Sequence, residues 1–104
     1  MAKFVLSQDN KTQLVDRIKK ALGRPNPTVA VEREYFLGIT PKKEITQDKI
    51  KGITANDKGI IITLQKAGQL VIQFSEHQDD HAFTLYPKMI RFFANQGTYK
   101  LTVK

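Results

Sequence analysis

The stretch from Gly59 to Phe74 constrains the fold more than any other part of the chain. Two runs rich in β-branched residues, Ile60 to Leu64 and Leu70 to Phe74, flank Lys66-Ala67-Gly68. Runs of this kind around a short glycine-bearing loop read as a β-hairpin. A three-residue loop of Lys66, Ala67 and Gly68, with Gly68 left-handed, sets Leu64 opposite Leu70, Ile62 opposite Ile72 and Ile60 opposite Phe74. A slip of one residue would turn Ile72 and Phe74 to the wrong face. Three consecutive isoleucines, Ile60 to Ile62, predict a central strand with both faces at least partly covered.

A hairpin needs neighbours to bury its apolar side, and the flanking sequence offers them. Lys3 to Leu6 reads as a short strand. Ser7 or Asp9 then caps a helix running to Leu22, with Leu14, Val15, Ile18, Ala21 and Leu22 on one face. Lys19 and Lys20 in the last turn suit the helix dipole, and Gly23 with Pro25 and Pro27 ends the helix. Val29 to Ile39 alternates, with Val29, Val31, Tyr35, Leu37 and Ile39 predicted to face the core. Arg33 interrupts that apolar face, at a sheet edge or beside an acid. Thr40-Pro41-Lys42-Lys43 reads as a turn, and Glu44 to Lys51 fits a helical turn or a strand. Ile50 to Ala55 is a strand entering an Asn56-Asp57-Lys58-Gly59 turn.

Beyond the hairpin, Ala82 to Tyr86 alternates weakly. Pro87 fits the first position of a second helix, over 87–95, with Met89, Ile90, Phe92, Phe93 and Ala94 as its apolar face and Gly97 as its stop. Thr98 to Val103 alternates again. The 104 residues suffice for one domain. The expectation is therefore a single α+β domain over 1–104, with an antiparallel sheet of about five to six strands and helices at 9–22 and 87–95 packed on it. A partly closed β-barrel with a plugging helix is the alternative.

The chain contains no cysteine, which removes disulfides, thiolate metal sites and a cysteine nucleophile. The N-terminal apolar run is too short for a signal peptide, and no apolar run could span a bilayer. A soluble cytoplasmic protein is expected. The serines, Ser7 and Ser75, stand in no glycine-rich elbow, and every glycine is isolated, so neither nucleophilic catalysis nor a phosphate-binding loop is indicated. The expectation is a non-enzyme without cofactor.

Both histidines lie in Glu76-His77-Gln78-Asp79-Asp80-His81. On a helix His77 and His81 would share a face and, with Asp79 and Asp80, could weakly hold a metal or respond to pH. The simpler reading is a capping box and turn material, with no metal site.

The net charge of +7 favours an anionic partner. Arg17, Lys19, Lys20 and Arg24 gather at the end of the first helix, and Lys42 and Lys43 lie with Lys49 and Lys51 on the middle loops. Sharing a face, they would contact nucleic acid or another anion, with Tyr35, Tyr86 or Phe92 stacking on bases. Against this, Asp16 can pair with Lys20, acids are interspersed throughout, and no RRM, KH or helix-turn-helix pattern is visible. A protein-interaction or accessory module is the leading reading. Sheet edges and the adjacent Phe92 and Phe93 point to a protein partner or a homodimer, because one helix face does not easily bury two neighbouring rings, although the simpler reading is that the sheet covers both.

Overall fold

The computed structural model describes residues 2–74, 83–94 and 97–104. Among these residues, eight strands and one helix form a single antiparallel half-barrel. In chain order they are β1 (Ala2–Phe4), α1 (Lys11–Leu22), β2 (Thr28–Leu37), β3 (Thr40–Asn56), β4 (Gly59–Leu64), β5 (Gly68–Gln73), β6 (Phe83–Tyr86), β7 (Met89–Ala94) and β8 (Gly97–Val103). The strands lie in the order β1-β6-β7-β8-β2-β3-β4-β5. The barrel alternative thus describes the architecture better than a flat sheet carrying two helices.

Helix α1 forms where the 3.6-residue period predicts it. Its buried face is Leu14, Val15, Ile18 and Leu22, laid against β3, β4, β6 and β7 inside the curl of the sheet. Gly23, at φ 84°, returns its N–H to the Lys19 carbonyl and ends the helix. The N-terminus differs from expectation. Neither Ser7 nor Asp9 caps it; Asn10 occupies the cap position, and its side chain instead ties down the preceding loop. Its Oδ1 accepts from the Ser7 N–H and its Nδ2 donates to the Val5 carbonyl, both at 2.8 Å.

The hairpin of β4 and β5 faces the core as its alternation requires, with Ile60, Ile62, Leu64, Leu70 and Ile72 buried. Its register is displaced by two residues from the predicted one. Ile62 pairs with Leu70, Ile60 with Ile72 and Leu64 with Gly68, so the loop is Gln65-Lys66-Ala67. An even displacement preserves the buried face. The cause lies outside the hairpin: Asp48 of β3 accepts the N–H groups of Lys66 and Ala67 and fixes the turn there. The isoleucine strand β4 lies between β3 and β5 with Ile61 half-buried on its second face, as expected, while β5 is the last strand of the sheet among the described residues. At the other end of β4, Gly59 has φ 146°, and a Cβ there would run into the Ile72 carbonyl oxygen.

The predicted helix over 87–95 is overturned. Pro87 and Lys88 form the turn of a hairpin between β6 and β7, in which Tyr86 pairs with Met89 and Phe83 with Phe92. Proline at the first central position and a positive φ, 63° at Lys88, at the second is the type II pattern. The turn docks on the helix end, where the Lys88 N–H donates to the Ala21 carbonyl at 2.7 Å. Gly97 correspondingly opens β8 and ends no helix.

The predicted turn at 40–43 is also overturned. The turn is at Gly38 and Ile39, and β3 then runs without a break for 17 residues. Its first part pairs with β2 and its second with β4. The register shifts between Ile50 and Gly52, leaving Lys51 as the extra residue of a bulge. Such a bulge bends a strand, and here it allows one strand to serve both halves of the curl.

Candidate functional site

Two surfaces follow from the way β3 is built: the projecting β2–β3 arm and a groove beside the bulge. Residues 40–47 of β3 are all exposed, and among the described residues their only strand neighbour is β2. The end of this hairpin therefore stands clear of the core. Phe36 is 71% exposed and Ile39 96%, and Leu37 and Ile45 are also largely in water. Leu37 and Ile39 are thus not core residues, contrary to their predicted place on the inward face. No residue from Tyr35 to Pro41 carries a charge. Of the five large apolar side chains exposed among the described residues, four belong to this arm.

Below its tip the arm is held by polar contacts. Lys43 lies 2.9 Å from Glu32 and 4.0 Å from Glu34, while Lys100 reaches Glu32 from β8 at 4.0 Å. The hydrogen bond from Lys43 holds the Glu32 carboxyl below its ordinary value, and the same bond raises Lys43. On the inner face the Arg33 guanidinium lies 4.3 Å from the centre of the Tyr35 ring and 5.8 Å from that of Tyr99. Tyr35 donates to Glu44 at 2.9 Å, and that bond pushes the phenol up. Pro41, Lys42 and Lys43 lie along the open margin of β3. A missing N–H and two charges there discourage another strand from pairing along it.

The second surface lies between the end of α1, the loop after it and the bulged part of β3. It is a groove of about 770 Å³. Leu22, Ile50 and Ile53 close its floor, and Pro25 and Pro27 form one wall. Lys19, Lys20, Arg24 and Lys51 stand around it, and among the described residues no carboxylate lines it. The bulge places Lys51 here, while the helix end places Lys19 and Lys20. Arg24 also donates to the Lys104 carbonyl at 3.1 Å, anchoring the loop to the end of β8.

The six cations predicted to bind an anion therefore separate. Lys19, Lys20 and Arg24 share the groove. Arg17 lies over the Phe4 ring, 5.4 Å from its centre. Lys42 and Lys43 are on the arm, with Lys43 engaged by Glu32. The aromatic residues proposed for base stacking are likewise dispersed: Phe92 is buried, Tyr35 is held by Arg33 and Glu44, and Tyr86 is half-buried.

Phe92 and Phe93 also part, because they belong to a strand. Phe92 is buried and stacked on Tyr99 at 5.6 Å, while Phe93 is 65% exposed on the opposite face. Register places Phe93 in the row of Thr98, Glu34 and Lys43, on the same outer face as Phe36 and Ile45.

The cluster of His77, Asp79, Asp80 and His81 lies outside the described residues, as does Ser75. Among the described residues no group of three histidine or acidic side chains could hold a metal, and no helix is long and apolar enough to cross a membrane.

The exposed arm residues were missed as a site. A signal for them exists in the sequence: Phe36 and Leu37 are adjacent, so a strand cannot bury both on one face. Asp48 and the bulge at Lys51 carry no sequence signal of their own.

Compared with known protein families, with curated proteins and with solved structures, the chain matches none.

Proposed function

We propose that this protein is a non-enzymatic protein-binding module that associates with further copies of itself through the tip of the β2–β3 arm. The observation that carries the reading is the cluster of Phe36, Leu37 and Ile39 left in water at an uncharged tip. Fully covering one such side chain gains about 1.5–3 kcal/mol, so several together are a strong incentive to associate. An exposed apolar patch on a small domain is characteristically an interaction surface. The absence of charge from 35 to 41 also matters for self-association. Two chains of net charge +7 repel, and a neutral projection is where that repulsion is weakest.

Nucleic-acid binding is the weaker reading. The predicted cations do not share one face, Lys43 is already paired, and no aromatic residue lines the basic groove among the described residues.

Light scattering across a range of protein and salt concentrations tests the proposal. The wild type should exceed its monomer mass of 11.9 kDa as concentration rises, and more so at high salt. Apolar contact survives screening while the repulsion between like-charged chains does not. Phe36→Asp with Ile39→Asp should remain monomeric. A wild-type monomer throughout rejects the proposal. Association with an oligonucleotide that weakens steeply with salt would favour the nucleic-acid reading instead.

A further inference from the structure

We infer that the groove between α1 and β3 receives the arm tip of a second copy, so that copies join head to tail. The inference rests on the arm being the contact element, and it adds what the arm binds. The first reason is reach. Tip and groove lie along the same strand, at Thr40 and at Ile50 to Thr54. Ten extended residues span about 33 Å, so a chain cannot place its own tip in its own groove. Contact between them must join two molecules.

Shape and chemistry give the second reason. The groove volume, about 770 Å³, falls in the range of sites that enclose a drug-sized molecule. That leaves room for Ile39 at the turn and Phe36 of the outer face on the apolar floor of Leu22, Ile50 and Ile53, while Leu37 points to the opposite face of the ribbon.

Charge gives the third. Among the described residues the rim carries four cations and no carboxylate. On the outer face behind the uncharged tip Glu32 is engaged by Lys43 at 2.9 Å, so the carboxylate the arm offers is the more exposed Glu34, 4.0 Å from Lys43, whereas Lys42 belongs to the inner face. Glu34 lies four residues from Gly38, about 13 Å behind the turn, which sets it at the rim when the tip is seated. Because tip and groove are different surfaces, the contact repeats from copy to copy and builds a ring or an open filament.

Two variants test this by sedimentation velocity. Ile39→Asp alters a tip residue that makes almost no contact within its own chain. Gly52→Gln fills the groove, and a Cβ built at Gly52 meets no atom within 4 Å, so the fold accommodates it. Each variant alone should associate at least tenfold more weakly than wild type. Mixed in equal amounts they should form a 1:1 dimer and nothing larger, the intact arm of one entering the intact groove of the other. Thr54→Arg, at an exposed position of the groove, repeats the groove arm of the test should Gly52→Gln lose the wild-type circular dichroism. Wild-type association by the groove variants beside a monomeric Ile39→Asp overturns the groove while leaving the arm standing. Two folded monomeric variants that form no dimer on mixing overturn the head-to-tail contact. Wild-type association by Ile39→Asp, or a monomeric wild type, rejects the arm itself.

Discussion

Replacing Asp48 by asparagine should cost about 2 kcal/mol at neutral pH, and the cost should vanish in acid. Asp48 is the one buried charged side chain among the described residues, at 5% exposure. Its Oδ1 accepts the Lys49 N–H at 2.8 Å and the Lys66 N–H at 2.9 Å, while Oδ2 accepts the Ala67 N–H at 3.0 Å. Asparagine can keep the two bonds of one oxygen, but its NH2 then confronts the Ala67 N–H. One hydrogen bond to a charged group, worth about 1.5–3 kcal/mol, is lost, and the remaining two weaken. Relief from burying a charge returns on the order of 1 kcal/mol. The balance, about 2 kcal/mol, lowers the midpoint of thermal unfolding by roughly 8–10 °C in a domain of this size.

The pH dependence gives the sharper test. Burial alone would raise the Asp48 carboxyl, but the three N–H donors outweigh it and hold the folded-state value below the ordinary one. Its contribution to stability is therefore complete above the ordinary aspartate value of about 3.9 and is lost as the pH falls through the lower folded value. Other carboxylates titrate alike in both proteins and cancel in the difference. Urea unfolding of wild type and Asp48→Asn should differ at pH 7 and converge near pH 2. Equal stabilities at pH 7, or a difference that persists undiminished in acid, would refute the account.

The strand assignment of residues 89–94 separates two neighbouring rings: Phe92→Ala should cost about 3–5 kcal/mol in urea unfolding, whereas Phe93→Ala should fall within about 0.5 kcal/mol of wild type. Similar losses at both positions would argue for a helix there. Lys88 holds a left-handed conformation at some cost, so Lys88→Gly should gain about 0.5–1 kcal/mol by thermal unfolding, since its backbone bond to Ala21 needs no side chain. A loss would show that the lysine side chain itself holds the turn.

The sequence discloses an element where burial imposes a single period on it. Leu14, Val15, Ile18 and Leu22 admit only a helix, and the hairpin isoleucines specify a buried face. Met89, Ile90, Phe92, Phe93 and Ala94 satisfy two periods at once: a wide helical stripe, or a strand burying Ile90, Phe92 and Ala94. Pro87 does not decide between them, because proline opens helices and type II turns alike. The first part of β3 is illegible for the opposite reason. Its residues from Thr40 to Gln47 are all exposed, so burial writes no alternation into them. The groove was half legible. Lys19, Lys20 and Arg24 are neighbours in sequence, but Lys51 joins them only through a bulge in a strand whose extent is hidden.

The placement of β2 between β3 and β8 governs how the molecule comes together in time. On one side β2 meets β3 across a two-residue turn; on the other Val31 meets Leu101, about seventy residues away along the chain. The near pairing is a hairpin closure, a matter of microseconds. The far one must first meet the entropy of closing a loop most of the chain long, which sets sheets of this kind among the slow folders, in milliseconds to seconds. In that interval the β2–β3 ribbon exists with one flank still bare. The interval in which the chain most needs protection from its neighbours is therefore the one in which its stickiest projection is already made.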